Sequence, residues 1–403
     1  MNKKLSFYVF CLILLLTGNM NAQQFTNYTT GNGLPDNNVN GVAIDGNNVK
    51  WFGTQSGVAS FNGTNWVVYT TANGLIDNYI NCIAVDKNNH IWAGTDVGVS
   101  TYNGTQWTSY TTTNGLINNT ISYITAGNDG NEWIGTNGGL SKFDGSTFTN
   151  YNAASGLPSE MISYLAVDGS NNVWIGTWIG GLVKFDGSVF TIFTTANGLP
   201  SDNITAIAID NSENKYIGTY AGIAKLNNSN NYITTYTSVN GMINNYVKDL
   251  AINSDQDLWV GIYADYLQEG GISYFNQTSW TSFTVTDGLV NAMVKRLAVD
   301  QNNHVWIATG NGVSEFVPAP EGLNEVAAYP GSIYPNPAKN VIYLSGVSLN
   351  TLVTIFNSKG GRESAQSVTS QPGIISIEGL PAGMYFLQIN DGKNVHSSKI
   401  VVQ

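Results

Sequence analysis

Charged residues are scarce in this chain: they make up 11% of 403 residues, with 16 Lys and Arg against 27 Asp and Glu. Ordinary globular domains carry roughly 25%, much of it on solvated helix faces, so a helical bundle is excluded as the main architecture. The net charge of −11 repels phosphate backbones, which excludes nucleic acid as a partner and disfavours anionic membranes. Beyond the N-terminal segment no apolar run reaches the ~18 residues of a membrane span, so the mature chain is expected to have no transmembrane segment. Histidine and cysteine are rarer still, with three and two copies. That leaves no metal cluster, no Ser–His or Cys–His nucleophile pair and no expected cofactor.

What the chain has in abundance is Gly, at 44 copies, within a composition that is 42% hydrophobic and 11% aromatic. A disordered chain is excluded, because that much apolar surface collapses into cores. At the N-terminus Lys3 and Lys4 precede an apolar run over residues 5–16, and Met20-Asn21-Ala22 ends in a small residue. This is the pattern of a secretory signal peptide over residues 1–22. Its removal takes Cys11 and leaves Cys82 as the single thiol, so no intramolecular disulfide is expected.

Toward the other end, Val317-Pro318-Ala319-Pro320-Glu321-Gly322 reads as a stiff linker, assigned to residues 318–331. Short apolar strands punctuated by Gly, Asn and Pro follow, which predicts a small antiparallel β-sandwich over residues 332–403. Four blocks there are distinctive: Tyr334-Pro335-Asn336-Pro337-Ala338, then Val353-Thr354-Ile355-Phe356-Asn357, then Leu380-Pro381-Ala382-Gly383-Met384-Tyr385, and finally Lys399-Ile400-Val401-Val402. In this order they resemble the C-terminal sorting domain of type IX secretion substrates in Bacteroidetes. The resemblance implies export by the type IX machinery to the cell surface or beyond, via the periplasm, with the domain usually removed afterwards.

Between the ends one unit recurs seven times. Gly-Leu, once Gly-Met, occurs at Gly33, Gly74, Gly115, Gly156, Gly198, Gly241 and Gly288. An aromatic follows at Trp51, Trp92, Trp133, Trp174, Tyr216, Trp259 and Trp306, and both series step by 41, 41, 41, 42, 43 and 47. Within the first unit, strands are expected at Val39–Ile44, 49–54, Gly57–Phe61 and Trp66–Tyr69, with Asn62-Gly63 as a hairpin turn. Four short antiparallel strands per unit describe a propeller blade, so an all-β, seven-bladed propeller over residues 23–317 is predicted. Outer-strand aromatics sit at Trp66, Trp107, Phe148, Phe190 and Trp280, with Ile233 in one copy, while the last unit lacks a fourth strand. Residues 25–28 should supply it, closing the ring and leaving no open edge.

These units resemble two-component regulator propeller repeats, as in Asn197-Gly198-Leu199-Pro200-Ser201-Asp202-Asn203-Ile204 and Val173-Trp174-Ile175-Gly176-Thr177. The resemblance implies a sensor-type propeller of the kind that responds to polysaccharide fragments. The chain departs from that pattern in having no internal membrane helix, kinase or regulator segment, so only ligand binding carries over.

The recurrent Asp45, Asp86, Asp168, Asp210 and Asp300 lack calcium-loop spacing and read as Asx turns. Asp36, Asp77, Glu160 and Asp202, which could pair for glycoside cleavage, recur in a way that also suggests turns. Subtracting the repeat leaves Trp178, with Tyr220 and Tyr263 at the same turn of the next two blades and Tyr266 in an insertion. Asp202, Asn203 and Asn244 lie in loops predicted on the same face. Lys248, Lys295 and Arg296 begin two innermost strands, where they would form a basic spot at the channel mouth, unless they pair with Asp249 and neighbouring acids. Aromatic platforms beside polar groups suit sugar rings, which present an apolar face and a hydroxyl rim. The leading expectation is a non-enzymatic, secreted or cell-surface propeller that binds an extracellular glycan or oligosaccharide. A surface protein scaffold and a polysaccharide-cleaving enzyme are the alternatives.

Overall fold

Tight turns every few residues leave this chain only short strands, and the computed structural model gathers those between residues 24 and 317 into seven four-stranded sheets. It describes residues 24–263, 269–318, 329–357, 362–390 and 395–403, so the signal peptide assigned to 1–22 and most of the linker lie outside the described residues. Two units separate, Phe25–Val317 and a C-terminal one from Pro318.

The first blade runs Val39–Ile44, Lys50–Thr54, Gly57–Phe61, Trp66–Tyr69, each strand pairing with the next. Innermost strands of successive blades pack side by side, and Val294–Val299 of the seventh returns against Val39–Ile44 of the first. The seventh sheet is completed by Gln24–Tyr28, which lies outside Gly312–Val317. Its Phe25 ring sits 4.9 Å from Phe316, and Tyr28 stacks on Trp306 at 5.6 Å while donating a hydrogen bond to Glu315. The N-terminal strand thus completes the sheet that the last propeller strands begin.

Each repeated residue has a physical task. Asp45 Oδ1 accepts the backbone N–H groups of Asn47 and Val49, and its Oδ2 accepts the indole N–H of Trp51 at 3.0 Å. Asp86, Asp168 and Asp300 hold Trp92, Trp174 and Trp306 in the same way. Where the third and sixth blades have Gly127 and Asn253 instead, the buried indole N–H groups of Trp133 and Trp259 have no partner. The series thus ties turns to tryptophans, with no ion needed. The repeated glycine ends a short 3-10 turn: Gly74 has φ 107°, a left-handed conformation that L side chains avoid. At Gly33 a Cβ would also lie 2.6 Å from the Trp66 ring. The following Leu75, Leu116, Leu157 and Leu199 are buried.

One outer-strand assignment is corrected. In the fifth blade the aromatic facing Leu226 is Tyr232, not Ile233, because a bulge shifts that strand by one residue. Ile233 is consequently exposed.

In six blades, all but the second, the innermost strand carries a bulge between its first and third residues. Bulges re-aim side chains. The second residue then reaches sideways: Asn40, Ser163 and Thr205 each donate to the carbonyl of Ile80, Ile204 or Val247 in the next blade, and Asn81, just ahead of the unbulged strand of the second blade, donates likewise to Ile121.

The C-terminal unit has the expected sandwich form. A three-stranded sheet of Ile333–Tyr334, Val341–Leu344 and Gly373–Ser376 faces a four-stranded one of Arg362–Ser367, Leu352–Asn357, Gly383–Asn390 and Val395–Val402. Ile342, Leu344, Val353, Ile355, Leu387 and Ile400 form their shared core.

Candidate ligand-binding site

The third residues of six innermost strands, with Cys82 at the matching place in the second blade, form the channel layer: Gly41, Cys82, Tyr123, Tyr164, Ala206, Asp249 and Arg296 in blade order. The Tyr123 and Tyr164 rings pack at 4.0 Å, tilted by 30°, and the Arg296 guanidinium lies over both, at 5.3 and 5.6 Å. Tyr164 donates its hydroxyl hydrogen to Asp249 Oδ1 at 2.8 Å, and Asp249 Oδ2 accepts the backbone N–H of Leu297. Burial raises the Asp249 carboxyl above its usual range against the opposing charge of Arg296, and it drives the Tyr164 hydroxyl well up. The expectation that Arg296 simply joins two lysines at the surface is thereby amended. It lies over the Tyr123 and Tyr164 rings and interacts electrostatically with Asp249.

Above this layer opens a hollow of about 260 Å³, lined by Asn40, Tyr79, Lys248, Tyr263, Lys295 and Arg296 among others. Lys295 donates to Asn38 and Asn40. Burial, then the Arg296 charge, pushes the Lys248 ammonium down to about 8. Four residues expected in the site, Tyr263, Lys248, Lys295 and Arg296, therefore meet in one pocket.

The aromatic arc is continuous but runs through a residue that the sequence reading missed. Trp178 meets Tyr220 edge-on at 6.2 Å, Tyr220 meets Tyr246 at 4.2 Å, and Tyr246 meets Tyr263 at 4.7 Å. Tyr246 immediately precedes an innermost strand, where the second blade carries Tyr79, so comparing that loop position across blades would have revealed it. Trp178 is 36% exposed and its neighbour Ile179 75%. Tyr266 lies outside the described residues.

The polar loop residues are corrected. Asp202 Oδ1 accepts the Thr195 N–H at 2.7 Å, repeating what Asn37, Asn78 and Asn119 do in earlier loops. Asn244 accepts the Tyr246 N–H and donates to the carbonyls of Tyr263 and Glu269. Both side chains hold loop backbone. Asn203 is half-buried in the loop beside them. The other loop carboxylates behave alike: Asp36 and Asp77 form Asx turns, and Glu160 accepts the Ala153 N–H. His90 sits on Asp86 and His304 on Glu315, in turns between first and second strands. A larger hollow of about 400 Å³ between the fourth and fifth blades is lined by turn residues, among them Asp168, Glu213 and Asn230, and by the strand residue Lys184, with no aromatic platform. Among the described residues no group of three His, Cys, Asp or Glu could hold a metal ion, and no helix is long and apolar enough to cross a membrane.

Comparison with solved structures places this fold among known propellers. The extracellular domain of a putative hybrid two component system from B. thetaiotaomicron shares 19% identity at TM-score 0.62, with 95% of this chain and 60% of that one covered. PorZ, a surface component of the type-IX secretion system of Porphyromonas gingivalis, shares 15% at TM-score 0.61, covering 91% and 60%. Virginiamycin B lyase from Staphylococcus aureus shares 14% at TM-score 0.59, covering 74% and 99%. The chain thus spans about 60% of the length of the first two. At such identities the likeness is one of fold. Comparison with curated proteins gives no match. Residues 74–97 and 156–179 match the two component regulator propeller model and residues 332–403 that of the secretion system C-terminal sorting domain, so the chain joins regulator-type propeller repeats to a sorting domain.

Proposed function

We propose that the propeller binds an extracellular glycan along the arc from Trp178 to Tyr263, and that the sorting domain brings it to the cell surface or beyond. The observation that carries this reading is the unbroken run of four aromatic rings ending at a polar pocket. Successive rings offer flat apolar faces to successive sugars, and the pocket beyond supplies hydrogen-bonding groups. Preformed concave sites of this composition are the usual seats of small ligands. The loop carboxylates Asp202 and Glu160 hold loop backbone, and His90 and His304 are paired with Asp86 and Glu315, which favours binding over catalysis. A second reading, docking of a surface protein, is favoured by Ile192 and Ile233, exposed on the outer strands of adjacent blades.

A glycan array probed with the full chain and with Trp178→Ala tests the proposal. The parent should retain oligosaccharides that the variant releases, while the melting temperature stays within a few degrees because Trp178 lies in an exposed turn. Equal retention by both chains, or by neither, refutes it; equal retention by neither with capture of a surface protein lost in Ile192→Ser would support the docking reading.

A further inference from the structure

We propose that the channel-mouth pocket seats an acidic sugar unit, one carrying a carboxylate or a sulfate ester, through Lys248, Lys295 and Arg296. This deepens the glycan reading and rests on it for the sugar, but its own basis is the chemistry of the pocket.

The first argument is an interrupted structural pattern. At the second position of the innermost strand, or just ahead of that strand in the second blade, Asn40, Asn81, Ser163 and Thr205 each bond the next blade. The sixth blade places Lys248 there, and among the described residues its ammonium bonds neither the next blade nor any other acceptor. The seventh places Lys295, which donates to the amide oxygens of Asn38 and Asn40 rather than to a carboxylate. The sixth blade has exchanged its latch for a cation that lines a hollow, and in the seventh the latch to the first blade is itself a cation. Ser122 also lacks a partner, but it is small and neutral, so it brings no charge.

The second argument is unspent bonding capacity. Arg296 Nε is buried with no hydrogen-bond partner, although buried guanidinium N–H groups ordinarily find one. Asp249 does not supply it: its oxygens accept from the Tyr164 hydroxyl and the Leu297 N–H, and neither bonds Nε. Asp36, which faces Lys295 electrostatically, is engaged with the Asn38 N–H and the Ser56 hydroxyl. Three cations therefore converge where the acids are otherwise committed, in a chain whose net charge is −11. Like charges gathered away from water repel one another, and an entering anion reverses the sign of that interaction.

Size and walls narrow the ligand. About 260 Å³ falls just below the range of roughly 300 to 1,000 Å³ usual for small-ligand sites, so it suits one sugar unit rather than a chain. Tyr79 and Tyr263 give it ring faces, and Asn40 and Asn81 give it amides, which a bare inorganic anion would not need.

The Lys248 ammonium is held down to about 8 by burial and by Arg296, opposed by Asp249 and helped by Lys295. Since an anion prefers the charged ammonium, binding should weaken as pH rises through that value and should take up protons there.

The test is titration calorimetry of the full chain with digalacturonic acid, a sulfated disaccharide and cellobiose at equal ionic strength. At least one acidic probe should bind tenfold or more tightly than cellobiose and lose at least tenfold in Lys248→Met and Lys295→Met. Which acidic probe binds separates the carboxylate from the sulfate ester. Lys248→Gln replaces Lys248→Met if the latter melts many degrees lower. Equal affinity for acidic and neutral probes, no binding of either acidic probe, or indifference to both lysine variants overturns the proposal. Cellobiose binding that depends on Trp178 without any acid preference would leave the glycan reading standing and this one refuted. Acid binding lost in Lys248→Met but untouched by Trp178→Ala would do the reverse.

Discussion

Lys50 Nζ lies 3.0 Å from Asp300 Oδ2, an ion pair between the first blade and the last with both side chains buried. Removing one partner of a buried pair leaves the other uncompensated, so Lys50→Met should destabilise the ring by about 2 to 4 kcal/mol at pH 7. The value sits at the low end because Trp306, Asn302 and His304 still bond the carboxylate. Burial opposes ionisation of Asp300, but the hydrogen bond from Lys50 and its other donors hold its pKa below the usual range. The difference between variant and parent should therefore shrink as pH falls into the acid range where Asp300 takes up its proton, as read by thermal melts across pH.

Glu132 occupies in the third blade the strand position that Lys50 holds in the first, and it faces Asp86, a like charge. Burial, then Asp86, pushes its carboxyl up to about 7 from 4.5. The folded state thus keeps a proton that the unfolded chain releases, and stability falls as pH rises between those two values. Glu132→Gln should match the parent near pH 4 and exceed it by roughly 1 to 3 kcal/mol at pH 8. Equal denaturation midpoints at pH 8 would contradict this.

Closure of the seventh blade by its outer strand makes Tyr28 a ring-joining residue. Tyr28→Ala should cost about 1.5 to 3 kcal/mol in lost burial alone. Deleting residues 24–28 should cost more, because the strand's hydrogen bonds and the Phe25 contacts with Phe283 and Phe316 go with it. An unchanged melting temperature after the deletion would mean that the ring holds without its outer strand.

Cys82 is buried in the channel layer, and burial pushes its thiol up to about 12 despite the nearby Arg296 charge. Only the thiolate attacks disulfide reagents. Labelling of the native protein by a thiol-reactive dye at pH 8 should be negligible and should appear only with global unfolding. Rapid labelling of the folded chain would show that the channel opens.

Export predicts a shortened product. Intact mass of the secreted form should lack residues 1–22 and most of the chain after Pro330; a species retaining Gln403 and found free in the periplasm would rule out the sorting role.

The blade repeat was readable because turn chemistry is local: Asn-Gly, Gly-Leu and the Asp before each Trp signal their geometry in a few residues. Closure was readable too, since a missing strand at one end matched a spare aromatic at the other. Side-chain direction was harder. Bulges at the second residue of the innermost strands decide that Asn40 bonds its neighbouring blade while Arg296 turns into the channel, and no alternation pattern announces a bulge. Asp202 and Asn244 look like ligand groups until their backbone partners are seen. Tyr246 escaped notice because it sits one residue ahead of a strand, in a loop whose counterparts include Asn38, Thr120 and Met161.

Tyr28 and Glu315 stand 287 residues apart in the chain yet share one hydrogen bond. The Tyr28 segment, made before the blades, must wait for almost the whole propeller before it meets its mate. Contacts of such long separation slow folding, because the loop they close costs entropy before any pairing repays it. Until Gly312–Val317 has been made, the ring is a chain of blades with a seam, and only its last strand lets the first one lock.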